Sequence, residues 1–280
     1  MNPEDQIYSL SPSDIEKLTD GLIANEPGVV NDRNILKEIF SFLDFTTLEG
    51  SDNDEKIARF CERALSFQKQ GLPPPAAVCM YPTFVRQAKQ LLSGSGIRVA
   101  AVTGYFPSGQ ATLALKMEEV KYTMDEGADE IDFVISRGKF LEGNHQYLYD
   151  EISSAKEIIK DIHLKVILET GELKTSANIW KAGKIALSAG ADVIKTSTGK
   201  FSPAATEHAA FIMLHTIGEH FEKTGQKRGF KPAGGIVEPE QAVRYYLLVK
   251  EILGPQWLTK DFFRIGASRL ADNLAKLLAS

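Results

Sequence analysis

Asp192-Val193-Ile194-Lys195-Thr196-Ser197-Thr198-Gly199 is a short β-branched run with a lysine at its centre and a glycine at its end. β-Branched residues fit the pleated surface of a strand, and a terminal glycine marks where strands stop. Runs of the same character recur at 42–46, 76–81, 99–105, 130–135, 165–170, 230–233 and 262–266, making eight with 192–198. Most of the gaps hold an amphipathic stretch. In 54–67, for example, Ile57, Phe60, Cys61, Ala64 and Leu65 recur at helical spacing. Strands that alternate with helices imply βαβ units and a parallel sheet. Eight such units predict an α/β fold of the closed (β/α)₈ barrel type, a TIM barrel, better than an open doubly wound sheet.

Residues 1–40 precede the first strand. Ser11-Pro12-Ser13-Asp14 reads as an N-cap followed by proline at the first helical position. A second helical pattern covers 34–40. The segment is too short and too poor in apolar residues for a core of its own. The expected organisation is therefore a helical extension over 1–40 and a barrel domain over 41–280.

Composition narrows the function. The chain has 280 residues, 43% of them hydrophobic and 25% charged, which fits a globular protein and neither a disordered nor a fibrous one. Its formal charge is −5 with no basic block, so no nucleic-acid surface is expected. No stretch is apolar and long enough for a membrane helix. The start, Met-Asn-Pro-Glu-Asp-Gln, shows no secretory pattern. Two cysteines, Cys61 and Cys79, fit a reducing compartment better than a disulfide framework. The expectation is a cytoplasmic enzyme or binding protein.

Several motifs are missing. No G-x-G-x-x-G follows a strand, and there is neither a P-loop nor a G-x-S-x-G elbow. His145, His163, His208, His215 and His220 form no ligand pair, so no metal and no cofactor are expected.

What stands out is charge inside apolar strands. With side chains alternating, Val193, Lys195 and Ser197 share one face. A lysine there must find a partner, lose its proton or reach solvent at a strand end. Gly229-Phe230-Lys231-Pro232-Ala233-Gly234-Gly235 puts a second lysine on the neighbouring strand. Two ammonium groups in a partly dry site depress one pKa, and a deprotonated lysine attacks carbonyls to form a Schiff base. Asp132, between Ile131 and Phe133, points into the barrel on the fourth strand, and Asp44 stands on the first. Each Asp either serves the chemistry or simply pairs with a lysine. Glycine-rich ends at Gly199, Gly234-Gly235 and Gly266-Ala267-Ser268 suit a phosphate held by backbone N–H groups. The residues alone thus reach Schiff-base chemistry on a phosphorylated aldehyde. A different aldolase substrate and a non-catalytic sugar-phosphate binder stay open beside it.

These segments resemble the class I deoxyribose-phosphate aldolases. The resemblance rests on Leu43-Asp44-Phe45-Thr46-Thr47-Leu48, Cys79-Met80-Tyr81-Pro82, Gly104-Tyr105-Phe106-Pro107-Ser108-Gly109, and Gly127-Ala128-Asp129-Glu130-Ile131-Asp132. It continues through 165–173, Ile194-Lys195-Thr196-Ser197-Thr198-Gly199, Lys231-Pro232-Ala233-Gly234-Gly235 and Arg264-Ile265-Gly266-Ala267-Ser268, all in family order. It implies reversible cleavage of 2-deoxy-D-ribose 5-phosphate to D-glyceraldehyde 3-phosphate and acetaldehyde, without metal or cofactor. Lys195 would form the Schiff base, Lys231 would lower its pKa and move protons, and Asp132 would shuttle them. Asp44, Thr46, Lys165 and Thr170 would line the polar site, and Gly199, Gly234, Gly235, Gly266 and Ser268 would hold the phosphate. A sugar phosphate is the implied partner, and a homodimer the implied assembly. The chain departs from the family pattern with Arg269 after Ser268 and Ser136 where many members have Asn. It also ends Leu277-Leu278-Ala279-Ser280, where some members carry a terminal Tyr that assists proton transfer.

Overall fold

The computed structural model describes residues 10–279, so the opening Met-Asn-Pro-Glu-Asp-Gln lies outside the described residues. Two helices, α1 (Pro12–Asn25) and α2 (Arg33–Ser41), lead into the first strand. Ser11 caps α1 in a reciprocal box with Asp14, with Pro12 in the first turn, as its sequence predicts. The alternation then runs β1 (Leu43–Thr46), α3 (Asp54–Lys69), β2 (Ala77–Met80), α4 (Val85–Leu91), β3 (Arg98–Thr103) and α5 (Leu113–Asp125). It continues with β4 (Glu130–Val134), α6 (Arg137–Leu141), α7 (His145–Ile159), β5 (His163–Ile167), α8 (Thr170–Leu173) and α9 (Ser176–Ser188). The last third holds β6 (Val193–Lys195), α10 (Glu207–Thr224), β7 (Gly229–Lys231), α11 (Pro239–Ile252), β8 (Ile265–Ala267) and α12 (Arg269–Ala279).

All eight strands are parallel, in the order β7-β6-β5-β4-β3-β2-β1-β8. Bridges from Phe230 to Phe263 and from Ala233 to Gly266 join the two ends and close the barrel. The (β/α)₈ expectation therefore stands. The late strands are shorter than the apolar runs suggest: 165–170 ends as a strand at Ile167 and 192–198 at Lys195. Beyond those points the chain leaves the ladder to build the C-terminal mouth. Glu169 takes a left-handed backbone (φ 55°) that turns the chain from β5 into α8. Asn53, Thr112, Thr175 and Thr206 cap the helices that follow the mouth loops, each accepting from a first-turn N–H.

Side-chain alternation divides the barrel. Phe45, Val78, Val99, Ile131, Val166, Ile194 and Phe230 face outward into the shell of helices. Inside, Ala77, Cys79, Ala100 and Val102 make a small apolar wall on the β2–β3 side, with Leu48 above it. On the β4–β7 side the lumen carries Glu130, Asp132, Lys165, Lys195 and Lys231 among the apolar Val134, Ile167 and Val193. Ile15 of α1 and Leu36, Ile39 and Phe40 of α2 are buried. The same segment is tied to the shell by Asp20 to Arg244 (2.7 Å), Glu26 to Lys250 (2.6 Å) and Glu38 to the Tyr246 hydroxyl (2.8 Å). No helix among the described residues is long and apolar enough to cross a membrane.

Candidate active site

The inward positions of four strands converge on one carboxylate. Lys195 and Lys231 are register partners on β6 and β7, as Asp132 and Lys165 are on β4 and β5. Each donates to Asp132: Lys165 Nζ to Oδ1 at 2.8 Å, Lys195 Nζ to Oδ2 at 2.7 Å, and Lys231 Nζ to the same Oδ2 at 2.7 Å. One layer below, Lys231 also bonds Asp44 Oδ2, while Lys165 reaches Glu130 Oε2 at 2.6 Å. Arg264 closes the base of the network. Its Nη1 bonds Asp44 Oδ1 at 2.5 Å and its Nη2 bonds Glu130 Oε1 at 2.6 Å. Lys195 is 3% exposed and Arg264 and Glu130 1%, while Asp44, Asp132, Lys165 and Lys231 are sealed.

Burial and charge pull these groups in opposite directions. Burial favours protonated carboxyls, yet Lys165, Lys231 and Arg264 hold Asp44 far below the usual carboxylate range. The same opposition, with Lys165, Lys195 and Lys231 as the cations, keeps Asp132 well below it. Glu130 is drawn down to about 2 by Lys165 and Arg264 against its own burial. Lys231 and Lys165 stay charged because their carboxylate neighbours outweigh burial and raise both above the ordinary lysine value. Lys195 goes the other way. Burial lowers it, Asp132 alone opposes strongly, and the charge on Lys231 lowers it further.

Above Lys195 lies a cavity of about 270 Å³ at the C-terminal mouth. Thr46, Gly199, Gly234, Gly235, Gly266 and Ser268 line it, with Lys200 and Arg269 at its rim. Two of the glycines are required sterically. Gly234 has φ 89°, and a Cβ there would lie 2.8 Å from the Gly199 Cα, so the β6 and β7 loops touch only because Gly234 carries no side chain. A Cβ on Gly266 would sit 2.8 Å from Ala233 Cβ and 3.2 Å from Lys231 Cε. Thr196 Oγ1 stitches the same two loops together, accepting from Ala233 N at 3.0 Å. A buried amine whose pKa burial lowers, beneath a glycine-lined cavity, can attack a carbonyl whose far end carries an anion.

Residues 38–247 match the model of the DeoC/LacD family aldolases. The chain belongs to that family. It is 43% identical over 255 residues to the deoxyribose-phosphate aldolase of Homo sapiens, covering 86% of this chain and 80% of the relative. Against the deoxyribose-phosphate aldolase of Bos taurus the figures are 42% over 247 residues, with 84% and 77% covered. The barrel itself is similar to a solved deoxyribose phosphate aldolase from Aeropyrum pernix, described as tetrameric, at a TM-score of 0.70 and 22% identity. That likeness covers 97% of this chain and 99% of the other, and bears on the fold alone.

Within this aldolase scaffold the expected residues fall into three groups. Lys195, Lys231 and Asp132 meet at one oxygen atom. Thr46, Gly199, Gly234, Gly235, Gly266 and Ser268 line the cavity above, and Arg269 stands beside them. Asp44 and Lys165 do not line that cavity. They lie in the ion network around Asp132, Lys165 pairing with Asp132 and Asp44 with Lys231. Thr170 is also buried away from the cavity, its N–H on the Thr196 carbonyl and its hydroxyl without a partner. Four contributors went unsingled in the sequence. Glu130 and Arg264 are charges at inward positions of apolar runs, the same signal that marks Lys195. Glu169 accepts from the Thr198 N–H and hydroxyl and so holds the β6 loop, and Lys200 follows directly on Gly199. Ser136 pairs with a buried Lys116–Glu151 bridge outside the barrel, accepting from Lys116 Nζ at 2.8 Å.

Proposed function

We propose that this chain reversibly cleaves 2-deoxy-D-ribose 5-phosphate to D-glyceraldehyde 3-phosphate and acetaldehyde through a Schiff base on Lys195. The observation that carries the reading is the state of Lys195: a buried amine, lowered by burial and by Lys231, opening onto a glycine-lined cavity. The Lys195 amine adds to C1 of the open-chain aldehyde, and the carbinolamine loses water to give an iminium ion. When the 3-hydroxyl gives up its proton, the C2–C3 bond breaks and its electron pair flows into the iminium. D-Glyceraldehyde 3-phosphate leaves, and an enamine remains on Lys195. Protonation at C2 and hydrolysis of the iminium release acetaldehyde and restore the amine.

Asp132 and Lys231 are the proposed proton handlers. Their shared Oδ2 puts the Lys231 proton one hydrogen bond from the carboxylate and two from Lys195. Gly199, Gly234, Gly235, Gly266 and Ser268 would take the phosphate, with Thr46 on the wall nearer the lysine. The apolar wall of Cys79, Ala100 and Val102 suits the two-carbon donor, which has no polar group beyond its carbonyl. The proposal includes residues 1–40 as an extension of the 41–280 barrel without chemistry of its own. It includes a homodimer in the cytoplasm, a setting that the two buried free thiols suit. The test is direct: purified protein is incubated with 2-deoxy-D-ribose 5-phosphate and released acetaldehyde is measured. Stoichiometric acetaldehyde and triose phosphate are expected. Turnover of other phosphorylated aldehydes or keto acids, with none of this substrate, would overturn the assignment.

A further inference from the structure

The lumen charges divide evenly once Lys195 is set aside. Asp44 on β1 and Glu130 and Asp132 on β4 are the carboxylates; Lys165 on β5, Lys231 on β7 and Arg264 before β8 are the cations. Of the other titratable groups facing this cluster, Cys79 and His163 carry no charge and Arg98 carries one. Cys79 on β2 remains a thiol, pushed up to about 11 by burial, and burial lowers His163 at the start of β5. β3 presents only Ala100 and Val102 inside the barrel; Arg98 at the rim touches Glu130 but also pairs with the half-exposed Asp261. Among the described residues Lys195 is thus the one inner cation-former for which no carboxylate is left over.

Arg264 makes that arithmetic hold. It is among the largest fully buried side chains in the molecule, and it spans two carboxylates on opposite strands. Arg264 takes one oxygen of Asp44 and reaches both of Glu130, leaving Asp44 Oδ2 to Lys231 and sharing Glu130 Oε2 with Lys165. Both ammonium groups then fall on Asp132. The Lys260 carbonyl fixes the guanidinium from behind by accepting from its Nε.

We propose that Arg264 and Glu130 form a positioning pair at the base of the barrel that sets the charge balance around Lys195 and so keeps it a free amine. The inference rests on the Schiff-base reading above. Neither residue touches the substrate cavity. Each acts through Asp44, Lys165 and Lys231. Removing the guanidinium leaves three carboxylates facing two fixed cations, and Lys195 becomes the proton acceptor that restores neutrality. Removing the Glu130 carboxylate does the reverse.

The experiment follows adduct formation on Lys195 against pH, using acetaldehyde and borohydride with intact-mass detection, in parallel with kcat/KM for the sugar phosphate. Arg264→Gln should move the acidic limb of both profiles up by about one pH unit, near tenfold at a fixed pH on the limb. Glu130→Gln should move it down, and the double variant should return it toward wild type. Arg264→Lys and Glu130→Asp, which keep the charges, should leave the limb in place and serve where the neutral variants fail to fold. A limb that stays put in folded Arg264→Gln and Glu130→Gln, or moves the same way in both, overturns the proposal while the Schiff base stands. No Lys195 adduct in wild type would instead remove the parent reading, and this one with it.

Discussion

Lys195 and Lys231 are register partners on neighbouring strands, and both nitrogens lie 2.7 Å from the same oxygen, Asp132 Oδ2. A single carboxylate oxygen cannot neutralise two ammonium groups. Asp44 gives Lys231 a second carboxylate, whereas Lys195 has none. The asymmetry between two adjacent lysines follows from that one additional partner. It supports the proposed roles, Lys195 as nucleophile and Lys231 as fixed charge.

Lys231→Leu should therefore keep the fold and lose rate by about 10²- to 10⁴-fold, the usual contribution of a positioned proton-transfer group. Burial still lowers Lys195 in this variant, but the push from Lys231 is gone, so the acidic limb of the kcat/KM profile moves to higher pH. A pH–rate profile is the check. An unchanged limb would refute the charge role given to Lys231.

Stability should separate Asp132 from Lys195. Asp132→Asn leaves Lys165 only Glu130 and Asp44, and Lys231 only Asp44, as carboxylate partners in a sealed lumen, and should cost about 3–5 kcal/mol, the range for breaking a buried ion pair. Lys195→Ala removes a group that the cluster does not need as a counter-ion, so its cost in urea unfolding should be clearly smaller. Equal losses would mean that Lys195 is charged at rest.

Gly266→Ala tests the packing beneath the cavity. Its Cβ would press on Ala233 Cβ and Lys231 Cε, so the expected penalty is overpacking of about 1–3 kcal/mol together with reduced kcat. Wild-type turnover in this variant would show that Lys231 tolerates displacement.

Acid should unfold the barrel from the inside. Glu130 falls from 4.5 to about 2 on folding, and Asp44 and Asp132 fall further below their ordinary value. The unfolded chain binds more protons than the native one across this interval. The stabilisation is fully present above about pH 4.5 and disappears as pH drops toward 2 and beyond. Circular dichroism from pH 6 to pH 2 checks it, and flat stability over that range would contradict the pairing.

Lys195, Lys231 and Asp132 were legible in the sequence because strand alternation makes a charge inside an apolar run conspicuous. The same signal marks Glu130, two residues before Asp132, and Arg264, inside 262–266, although neither was singled out from it. Depth was not legible. Which inward residue sits at the cavity and which lies a layer below depends on register between strands, as in Asp44 opposite Gly266 and Lys165 opposite Val193. No single strand carries that information, so Asp44 and Lys165 read as cavity residues although they lie in the ion network around Asp132. The strand ends at Ile167 and Lys195 were hidden for another reason. The apolar runs continue into the mouth loops, and only the left-handed turn at Glu169 and the cross-loop bonds of Thr196 show where the ladder stops.

The most direct measurement of the central claim is borohydride trapping with 2-deoxy-D-ribose 5-phosphate, read by intact mass and peptide mapping beside a Lys195→Ala control. The account predicts one reduced adduct on the peptide carrying Lys195, absent from the variant, whose turnover should also fall by roughly 10³-fold or more. An adduct on Lys231 or Lys165 instead, or full activity in Lys195→Ala, would contradict it.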